Sequence, residues 1–463
     1  YALQAEPILA ERLEKEEDVK NLIEMAQKLE GMTRNIGMHA GGVVIAPGKL
    51  TDFCPLYQQP GSDSAVSMFD KDDVEQIGLV KFDFLGLATL TILEIAREFI
   101  QKRHKGQENF KFEDIPLDDW PTYKLFQEGK TEAVFQFESR GMQGMLKEAK
   151  PSRLEDLIAL NALYRPGPMD LIPSFVARKH GTEVIEYPHP LVEKVLAETY
   201  GIMVYQEQVM QTAQVLGGYS LGGADLLRRA MGKKKPEEMA QHRLLFREGA
   251  GKQGIPPEKA DEVFDLMEKF AGYGFNKSHA AAYSLLAYHT AWIKVHYTAE
   301  FFCANMTVEM DNTDKLKVLH EDALKMGLTF EPPDVNRGGY RFEPVTDKVI
   351  RYGLGAIKGS GQAAIEAIIA ARNGQGPGPQ GHVQGPFKSL WDFCTRVDRA
   401  KLNKRTLEAL IKAGAFDSIE RNRAALMAAT DAAFEFANAQ WANAHQGGLF
   451  DMMGDDAQGA SSQ

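Results

Sequence analysis

Apolar positions near the start of the chain first follow a helical spacing and then change to the spacing of strands. Between Glu6 and Leu29, apolar residues recur three and four positions apart among many charges, which predicts helices. Residues 41–47 form a short apolar run bounded by glycine and proline, which predicts a buried strand. Residues 80–85 are its expected sheet partner, and the segment 88–102 returns to helical spacing.

The longer C-terminal part of the chain has a mainly helical pattern. From Tyr123 to about Met326 the helical spacing is interrupted by glycine and proline turns, which predicts a helical domain. Apolar and polar residues alternate sufficiently within 340–352 to predict a short hairpin. Two small helical units are expected to follow it, near residues 354–372 and 402–416.

Two segments have the composition of flexible chain. Residues 374–381 consist of Gly, Pro and Gln, which favours a flexible linker between the two small helical units. Residues 454–463 are small and polar, and we expect them to be disordered.

The overall composition is that of a soluble globular protein of roughly three domains. The 463 residues are 44% hydrophobic and 25% charged, which excludes a disordered chain, and no apolar run is long enough for a membrane span. Tyr1 and its neighbours carry neither a methionine nor a signal-peptide pattern, so we expect the sequence to begin inside a longer protein. Three widely separated cysteines favour a reducing cytoplasm over structural zinc.

Positive charge is concentrated at one place in an otherwise acidic chain. The net charge of −11 disfavours a general nucleic-acid coat. Arg228, Arg229 and the lysines 233–235 nevertheless cluster within residues 226–236, and the only acids near them are Asp225 and, beyond Pro236, Glu237 and Glu238. Such a cluster suits a phosphate held at a defined site, although a solvated, lysine-rich helix end is an equally simple interpretation.

The expected strand at residues 80–85 carries one carboxylate among apolar side chains. Since side chains alternate along a strand, Lys81 and Asp83 project to one face, and Phe82 projects to the other. A lysine beside an acid at a strand end suits metal and phosphate chemistry. A buried acid needs compensation, which Lys81 or a backbone donor could also supply in a purely structural role.

Several familiar catalytic motifs are excluded. The segment 218–222 matches G-x-S-x-G, but residues 206–216 before it have a helical pattern, whereas that hydrolase motif requires a strand. The sequence has no phosphate-binding G-x-x-x-x-G-K-[ST] loop and no H-E-x-x-H helix. The acidic run at 70–75 lacks the glycine and terminal glutamate of a calcium loop and better fits a helix start.

Residues 353–368 form a glycine hairpin that opens a helix. Gly359 and Gly361 have no side chains to block a phosphate from their backbone N–H groups, and Lys358 precedes them. This pattern resembles the helix-hairpin-helix element of DNA-binding proteins, and residues 402–416 resemble a second, degenerate copy. A plain helix-turn-helix packing unit remains an alternative for both.

The segment 272–283 places Asn, Lys, Ser and His after a glycine-rich turn, just before a helix of small residues. A lone histidine there would more often be a helix cap or a satisfied core group than a functional residue. Together with the segments 39–47, 80–87, 165–168, 205–211 and 227–236, this string resembles the C-family bacterial replicative DNA polymerases. The segments occur in the family's order and span nearly the whole chain.

This resemblance implies an α+β fold that is mostly helical, with part of a palm related to polymerase beta-type nucleotidyltransferases, helical fingers and a tandem helix-hairpin-helix region. It implies five segments: the end of the thumb (1–34), the C-terminal part of the palm (35–87), the fingers (88–330), the helix-hairpin-helix region (331–435) and a clamp-binding segment with a disordered tail (436–463).

The resemblance also assigns the catalytic metal site. In this family three aspartates hold two divalent ions, usually Mg²⁺, and Asp83 matches the third aspartate. The first two belong to an Asp-x-Asp motif, which does not precede Asp83 in a palm-like context here. We therefore expect template-directed DNA synthesis from the intact protein and no activity from the isolated chain, which could serve as a DNA-binding or clamp-binding module.

The remaining roles follow from the same resemblance. DNA contacts are expected at Lys358, Gly359 and Gly361, and dNTP contacts are expected at Lys81, Arg228, Arg229, His279, Tyr273 and His39. Gln446, Leu449 and Phe450 resemble the peptide that binds the sliding clamp (beta), with Gln at a pocket rim and two apolar anchors. Implied partners are primer-template DNA, the clamp, and the proofreading and clamp-loader subunits.

Overall fold

The computed structural model describes residues 3, 6–32, 37–39, 41–233, 236–378 and 380–455, with side chains to residue 443 in the last helix. The chain divides into two compact units, Tyr1–Leu87 and Ala88–Gln463, which we call the N-terminal and C-terminal units. None of the described helices is long and apolar enough to cross a lipid bilayer.

In its described residues, the N-terminal unit contains two successive helices, a short third helix and two small antiparallel sheets. Its elements are α1 (Pro7–Lys15), α2 (Glu17–Leu29), β1 (Gly42–Ile45), β2 (Leu56–Gln58), β3 (Ala65–Ser67), α3 (Lys71–Gln76) and β4 (Val80–Asp83). Strand β1 pairs with β4 and β2 pairs with β3. The helices, the β1–β4 pairing and the helix start in the acidic run therefore confirm the predictions from the sequence, and Asp70 caps α3 by accepting the Asp73 N–H at 2.9 Å.

Burial of the first strand was predicted wrongly. One face of the β1–β4 sheet packs Val44 against a small core, whose buried members among the described residues are Cys54, Val74 and Leu79. On the other face Val43 is 47% exposed, and the remaining apolar side chains of that face are exposed to a similar degree. The reason is that a two-stranded sheet over a three-residue core can bury one face and no more.

The C-terminal unit is mainly helical. Its first part contains α4 (Ala88–Arg103), α5 (Trp120–Gln127), α6 (Arg140–Ala149), α7 (Leu154–Leu163), α8 (Ile172–Lys179), α9 (Glu193–Leu196), α10 (Gln206–Gly217), α11 (Leu221–Lys233), α12 (Pro236–Gly251), α13 (Pro257–Ala271), α14 (Lys277–His296), α15 (Thr298–Val308) and α16 (Thr313–Lys325). The remainder contains β5 (Thr329–Glu331), β6 (Glu343–Thr346), β7 (Val349–Arg351), α17 (Gln362–Arg372), α18 (Leu390–Arg396), α19 (Lys404–Lys412) and α20 (Arg423–Asp455).

Three hydrophobic cores organise this unit. The largest surrounds α14 and α15, where helices of small and aromatic residues pack on α7 and α4. A second core joins α10–α13, and a third joins α17–α20. The second and third cores join helices that follow one another in the chain, whereas the largest core is built from segments on both sides of the second.

The predicted hairpin near residues 340–352 is confirmed as β6 and β7, which pair antiparallel. The sequence pattern missed β5, which pairs parallel with β7 through Phe330 and Ile350. Three residues are too short a run for a period-two pattern to be detected.

The predicted flexible linker at residues 374–381 is instead a packed, closed loop, of which Pro379 lies outside the described residues. The Gly376 N–H donates to the Gly381 carbonyl at 3.1 Å, and a Cβ on Gly381 would clash with the carbonyl oxygen of Gly376. A Cβ on Gly378 would meet the Trp441 ring at 2.7 Å. These glycines are therefore required by close packing, whereas their composition resembles that of a flexible segment.

Arg396 fixes the chain that follows this loop. Its side chain is 1% exposed and donates from Nη2 to the carbonyls of Val383 and Gly385 at 2.7 and 2.8 Å. A buried cation is tolerated because backbone oxygens and Asp392 surround it. Of the segment predicted to be disordered, Gly454 and Asp455 instead form the end of helix α20, and residues 456–463 lie outside the described residues.

Candidate nucleotide and nucleic-acid sites

Asp83 ends strand β4 beside the glycine-rich start of β1. The two strands place Asp83 directly opposite Gly42. The Asp83 side chain is 62% exposed, and its Oδ1 lies 3.6 Å from Nε2 of His39. Because it is exposed, this carboxylate needs no buried counter-charge and is free to take a ligand.

Gly41 and Gly42 both lie close to the His39 ring. The Gly41 N–H donates to His39 Nδ1 at 3.2 Å, so the neutral ring carries its proton on Nε2, toward Asp83. A Cβ on Gly42 would lie 2.6 Å from the same Nδ1, and a Cβ on Gly41 would lie 2.6 Å from the Phe84 carbonyl oxygen. Both glycines are thus explained by close approach.

Lys81 does not compensate Asp83. Its Nζ lies 3.0 Å from Glu75 Oε1 and donates to the Lys71 carbonyl at 3.4 Å. The expectation that Lys81 might neutralise Asp83 is therefore wrong, since the end of helix α3 supplies a nearer carboxylate. The pair is a solvent-exposed one of small energy, so Lys81 can exchange Glu75 for another anion.

As a metal ligand, Asp83 offers one hard carboxylate oxygen, which suits Mg²⁺. A single carboxylate is too few for a pair of ions without further ligands. Among the described residues, the one group of three potential ligands is His104, Glu300 and Asp347. Arg103 forms ion pairs with both carboxylates of that group, so its guanidinium takes the place that a cation would need.

In the C-terminal unit, Arg228 and Arg229 share one counter-ion on helix α11. Arg228 Nη2 lies 2.8 Å from Asp225 Oδ1, and Arg229 Nε lies 2.9 Å from Asp225 Oδ2. The hydrogen bonds from Arg228, with help from Arg229, lower the pKa of Asp225. The side chain of Arg229 is 63% exposed, so the cluster retains accessible positive charge. Lys234 and Lys235 lie outside the described residues.

Two motifs that are distant in sequence meet at Tyr273. The Arg165 Nη2 donates to the Tyr273 carbonyl at 2.6 Å. Gly167 has φ +98°, and a Cβ there would lie 2.6 Å from the Tyr273 ring. The glycine between the two prolines of residues 165–168 is therefore required both by its backbone conformation and by the ring packed on it. Tyr273 itself is 46% exposed.

The start of α14 is held by a carboxylate from α10. Glu207 accepts the Lys277 N–H at 3.1 and 3.0 Å and the Asn276 side-chain amide at 3.1 Å. Asn276 in turn caps the helix by accepting the His279 N–H at 2.8 Å. The cap of this helix is thus Asn276 and not the histidine, whose ring is left available.

The His279 ring belongs to an aromatic group at the surface. It stacks on Tyr283 with ring centroids 4.3 Å apart, and it packs in a T-shaped arrangement with Phe275, whose ring centroid lies 5.4 Å away. Sequence reasoning named His279 and Tyr273 but missed the roles of Glu207 and Arg165. The only available signal was their position inside the segments 205–211 and 165–168.

The glycine hairpin has the open geometry expected from its sequence. Gly359 has φ +95°, Lys358 is exposed, and a Cβ on Gly361 would meet nothing within 4 Å. The Gly359 carbonyl accepts a hydrogen bond from the Thr406 hydroxyl at 3.3 Å. The hairpin is thereby tied to α19, within the segment that resembles a second copy of the motif.

The expected clamp peptide lies in helix α20, whose backbone is described to Asp455. The side chains of Gln446, Leu449 and Phe450 lie outside the described residues.

Three family models match successive parts of the chain. The bacterial DNA polymerase III alpha NTPase domain matches residues 1–86, and the bacterial DNA polymerase III alpha subunit finger domain matches residues 89–254. The helix-hairpin-helix motif matches residues 327–426, which include the hairpin and α19.

Curated relatives match almost the entire chain. A DNA polymerase III subunit alpha of Neisseria meningitidis serogroup B is 59% identical over 454 residues, which are 98% of this chain and 38% of the relative. The Escherichia coli K12 protein of the same name is 54% identical over 462 residues, 98% of this chain and 39% of its own length. The Vibrio cholerae protein of that name is 52% identical with the same coverage. The chain thus spans somewhat more than a third of these relatives.

Proposed function

Because the chain belongs to the bacterial DNA polymerase III alpha subunits, we propose that it is part of a template-directed DNA polymerase of bacterial replication. The intact protein would add dNMP from dNTP to a primer 3′-hydroxyl and release pyrophosphate. The observation that carries this proposal is the exposed Asp83 at the end of β4, which lies beside His39 and opposite Gly42. We retain the division into thumb end, palm, fingers, helix-hairpin-helix region and clamp-binding tail as part of the proposal.

Asp83 is proposed as one ligand of the catalytic Mg²⁺ ions. When bound, such ions lower the cost of charge that develops on the attacking hydroxyl and on the leaving pyrophosphate. The role of this chain is to present the Asp83 carboxylate at a strand end, where an extended backbone and the close approach of Gly42 fix its direction. One carboxylate cannot complete a two-ion site. We therefore propose that the isolated chain is inactive.

His39 is proposed to orient Asp83 and to lie beside the nucleotide. With Nδ1 occupied by the Gly41 N–H, Nε2–H points toward Asp83 Oδ1 at 3.6 Å. This distance leaves room for the carboxylate to turn toward a metal ion while the imidazole limits its alternative directions.

The triphosphate of the incoming nucleotide is proposed to bind Lys81, Arg228 and Arg229. Guanidinium and ammonium groups form strong charge-assisted hydrogen bonds with phosphate oxygens. Each of these cations forms an ion pair with an exposed or half-exposed carboxylate, Glu75 or Asp225. A triphosphate can replace that carboxylate as the partner of the cation. His279 and Tyr273 are proposed to contact the base or sugar.

The glycine hairpin is proposed to bind the phosphate backbone of primer-template DNA. Lys358 supplies charge, and the backbone at Gly359 and Gly361 can approach a phosphate without obstruction by side chains. Such contacts are independent of sequence, as a replicative enzyme requires.

The segment with Gln446, Leu449 and Phe450 is proposed to bind the sliding clamp in the cytoplasm, where the proofreading and clamp-loader subunits would be further partners. Replacing Leu449 and Phe450 with alanine in the full-length protein should abolish stimulation of synthesis by the clamp and leave slow, distributive synthesis unchanged. Stimulation that survives the double substitution would contradict this assignment.

The polymerase proposal is tested by Asp83→Ala in the full-length protein. Primer extension should be lost, while the affinity for primer-template DNA should change little. A matched control is Asp63→Ala, which removes an exposed carboxylate from the turn between β2 and β3. Synthesis that persists in the Asp83 variant would refute the metal role.

A further inference from the structure

A cavity of about 670 Å³ lies in the C-terminal unit between helices α15 and α16 on one side and the glycine hairpin on the other. Its lining comes from the end of α15, the chain that joins it to α16, the first turns of α16, Tyr352 and residues 355–360. The volume falls within the range of small-molecule sites in proteins. Two of the lining residues, Lys358 and Gly359, have a proposed role, which is contact with DNA phosphate.

The buried part of the lining is apolar. Met306, Leu316 and Ile357 line the cavity and are buried, and we call these three residues the floor. Met310 also lines the cavity and is half-buried. Methionine side chains are unbranched and polarizable, so they adapt to ligands of different outline. The floor therefore favours a ligand with an apolar body of moderate size.

Two aromatic rings of the lining are each held in place by a phenylalanine. The Tyr352 ring packs in a T-shaped arrangement on Phe342, with centroids 4.7 Å apart, and the His320 ring lies 4.4 Å from that of Phe330. Tyr352 and His320 are only partly buried, so part of each ring remains accessible to a ligand. Rings that are fixed before binding lose little conformational freedom on packing against a flat ligand, which favours a planar ring system as its body.

The same lining carries hydrogen-bond donors that have no partner in the described part of the protein. The Tyr352 hydroxyl and the His320 ring nitrogens form no hydrogen bond there. Lys317 and Lys358 are exposed, and neither forms an ion pair with a described carboxylate. Partial burial raises the pKa of Tyr352, so its hydroxyl stays protonated near neutral pH and can donate. Asp311 is the one carboxylate of the described lining, so the two lysines leave a positive balance that suits an anionic group.

We propose that this cavity binds a small amphipathic anion, namely a planar apolar ring system that carries one negatively charged group. The ring system lies on the floor beside Tyr352 and His320, and Lys317, Lys358 and the Tyr352 hydroxyl bind the anion. Because Lys358 is then shared between this ligand and DNA, the bound anion weakens the contact of the hairpin with primer-template DNA. This second part rests on the DNA contact proposed for the hairpin, whereas the binding site itself does not.

The test of the site uses two probes with the same rings, of which one is charged. The full 463-residue chain is titrated with anilinonaphthalene sulfonate and with phenylnaphthylamine, which lacks the sulfonate, and the fluorescence of each probe is recorded. Lys317→Met keeps an apolar stem and removes the charge, and Tyr352→Phe keeps the ring and removes the hydroxyl. We expect each substitution to raise the Kd of the sulfonate about fivefold and to leave the Kd of phenylnaphthylamine unchanged.

Each substitution has a matched control. Lys325→Met removes the charge of another exposed lysine of α16, and Tyr340→Phe removes the hydroxyl of a tyrosine that lies against Gly355; neither residue lines the cavity. Neither control should change the Kd of either probe. Thermal melting of all four variants verifies that they fold, and we expect their melting temperatures to match that of the unsubstituted chain. Unchanged affinity for the sulfonate in both folded variants, or equal losses for the two probes, would overturn the proposed site.

The effect on DNA is tested with labelled primer-template duplex. The Kd of the chain for this duplex should rise about threefold in the presence of the sulfonate, and the same sulfonate concentration should have little effect on Lys317→Met. A Kd for DNA that the sulfonate leaves unchanged would overturn the shared use of Lys358. A chain that binds no DNA would overturn this second part together with the hairpin proposal, while the two probes still decide the site. The polymerase proposal fails separately, through synthesis by the Asp83 variant of the full-length protein, so these failures can be told apart.

Discussion

Glu207 accepts the backbone N–H of Lys277 with both of its carboxylate oxygens, at 3.1 and 3.0 Å. The bond joins the first turn of α10 to the first turn of α14. A negative charge at a helix N-terminus is favourable because it opposes the helix dipole. Since Asn276 and His279 belong to the same turn, Glu207 fixes the direction in which the His279 ring leaves the helix.

We expect Glu207→Gln to weaken nucleotide binding more than catalysis. The amide keeps one acceptor but loses the charge, so the first turn of α14 loosens and His279 shifts. In the full-length protein, the KM for dNTP should rise about fivefold with a small change in kcat, and the free energy of unfolding should fall by roughly 1 kcal/mol. Steady-state kinetics and thermal melting measure the two effects.

The control for this prediction is Glu262→Gln, which disrupts an exposed pair with Lys259 on the surface of α13. It should change neither value measurably. An unchanged KM in the Glu207 variant, despite a lowered melting temperature, would assign Glu207 a purely structural role.

Asp225→Asn should strengthen triphosphate binding. The carboxylate neutralises part of the charge on Arg228 and Arg229, and the hydrogen bonds from these arginines lower its pKa, so it stays ionised throughout the neutral range. Removing one negative charge near a triphosphate should lower its Kd roughly threefold at low salt, with a smaller effect at high salt.

Equilibrium binding of dNTP to the full-length protein checks this expectation. Asp261→Asn is a matched control, because Asp261 also binds an arginine, Arg247, and its pKa is lowered in the same way. If the Asp225 variant binds dNTP more weakly, the carboxylate serves to hold the arginines in place, and the competition proposed for it is wrong.

Gly167→Ala should destabilise the C-terminal unit and displace Tyr273. A side chain at φ +98° is strained, and the new Cβ would lie 2.6 Å from the tyrosine ring. We expect the free energy of unfolding to fall by about 1–2 kcal/mol, as measured by urea denaturation of the chain. Gly144→Ala, in a helix with nothing within 4 Å of the new Cβ, should instead be neutral or stabilising. Equal effects from the two substitutions would contradict this reading of Gly167.

Local patterns predicted what depends on neighbouring residues. The short apolar runs at residues 41–47 and 80–85 were sufficient to predict the strands that pair as β1 and β4, and glycine beside proline marked the turn that contains Gly167. The positive φ of Gly359 agrees with its predicted place in a hairpin. In each case a few adjacent residues determine the geometry.

Contacts between distant segments could not be predicted in this way. The Glu75 pair of Lys81 and the Glu207 cap of α14 depend on how helices pack, which no spacing in the sequence encodes. Residues 374–381 show the same limit, because glycines required by close packing have the same composition as glycines in a flexible linker. Burial of β1 was overestimated since apolar composition does not indicate how many faces a sheet can cover.

The most direct test of the central claim is the single-turnover rate of nucleotide incorporation by Asp83→Asn in the full-length protein, measured across a Mg²⁺ titration. Asparagine keeps the size of the side chain and removes the charge that a metal ion needs. At saturating Mg²⁺, primer-template and dNTP, the rate should fall about a thousandfold, with the Kd for primer-template unchanged. A rate within about twofold of the unsubstituted protein would contradict the assignment of Asp83 as a catalytic metal ligand.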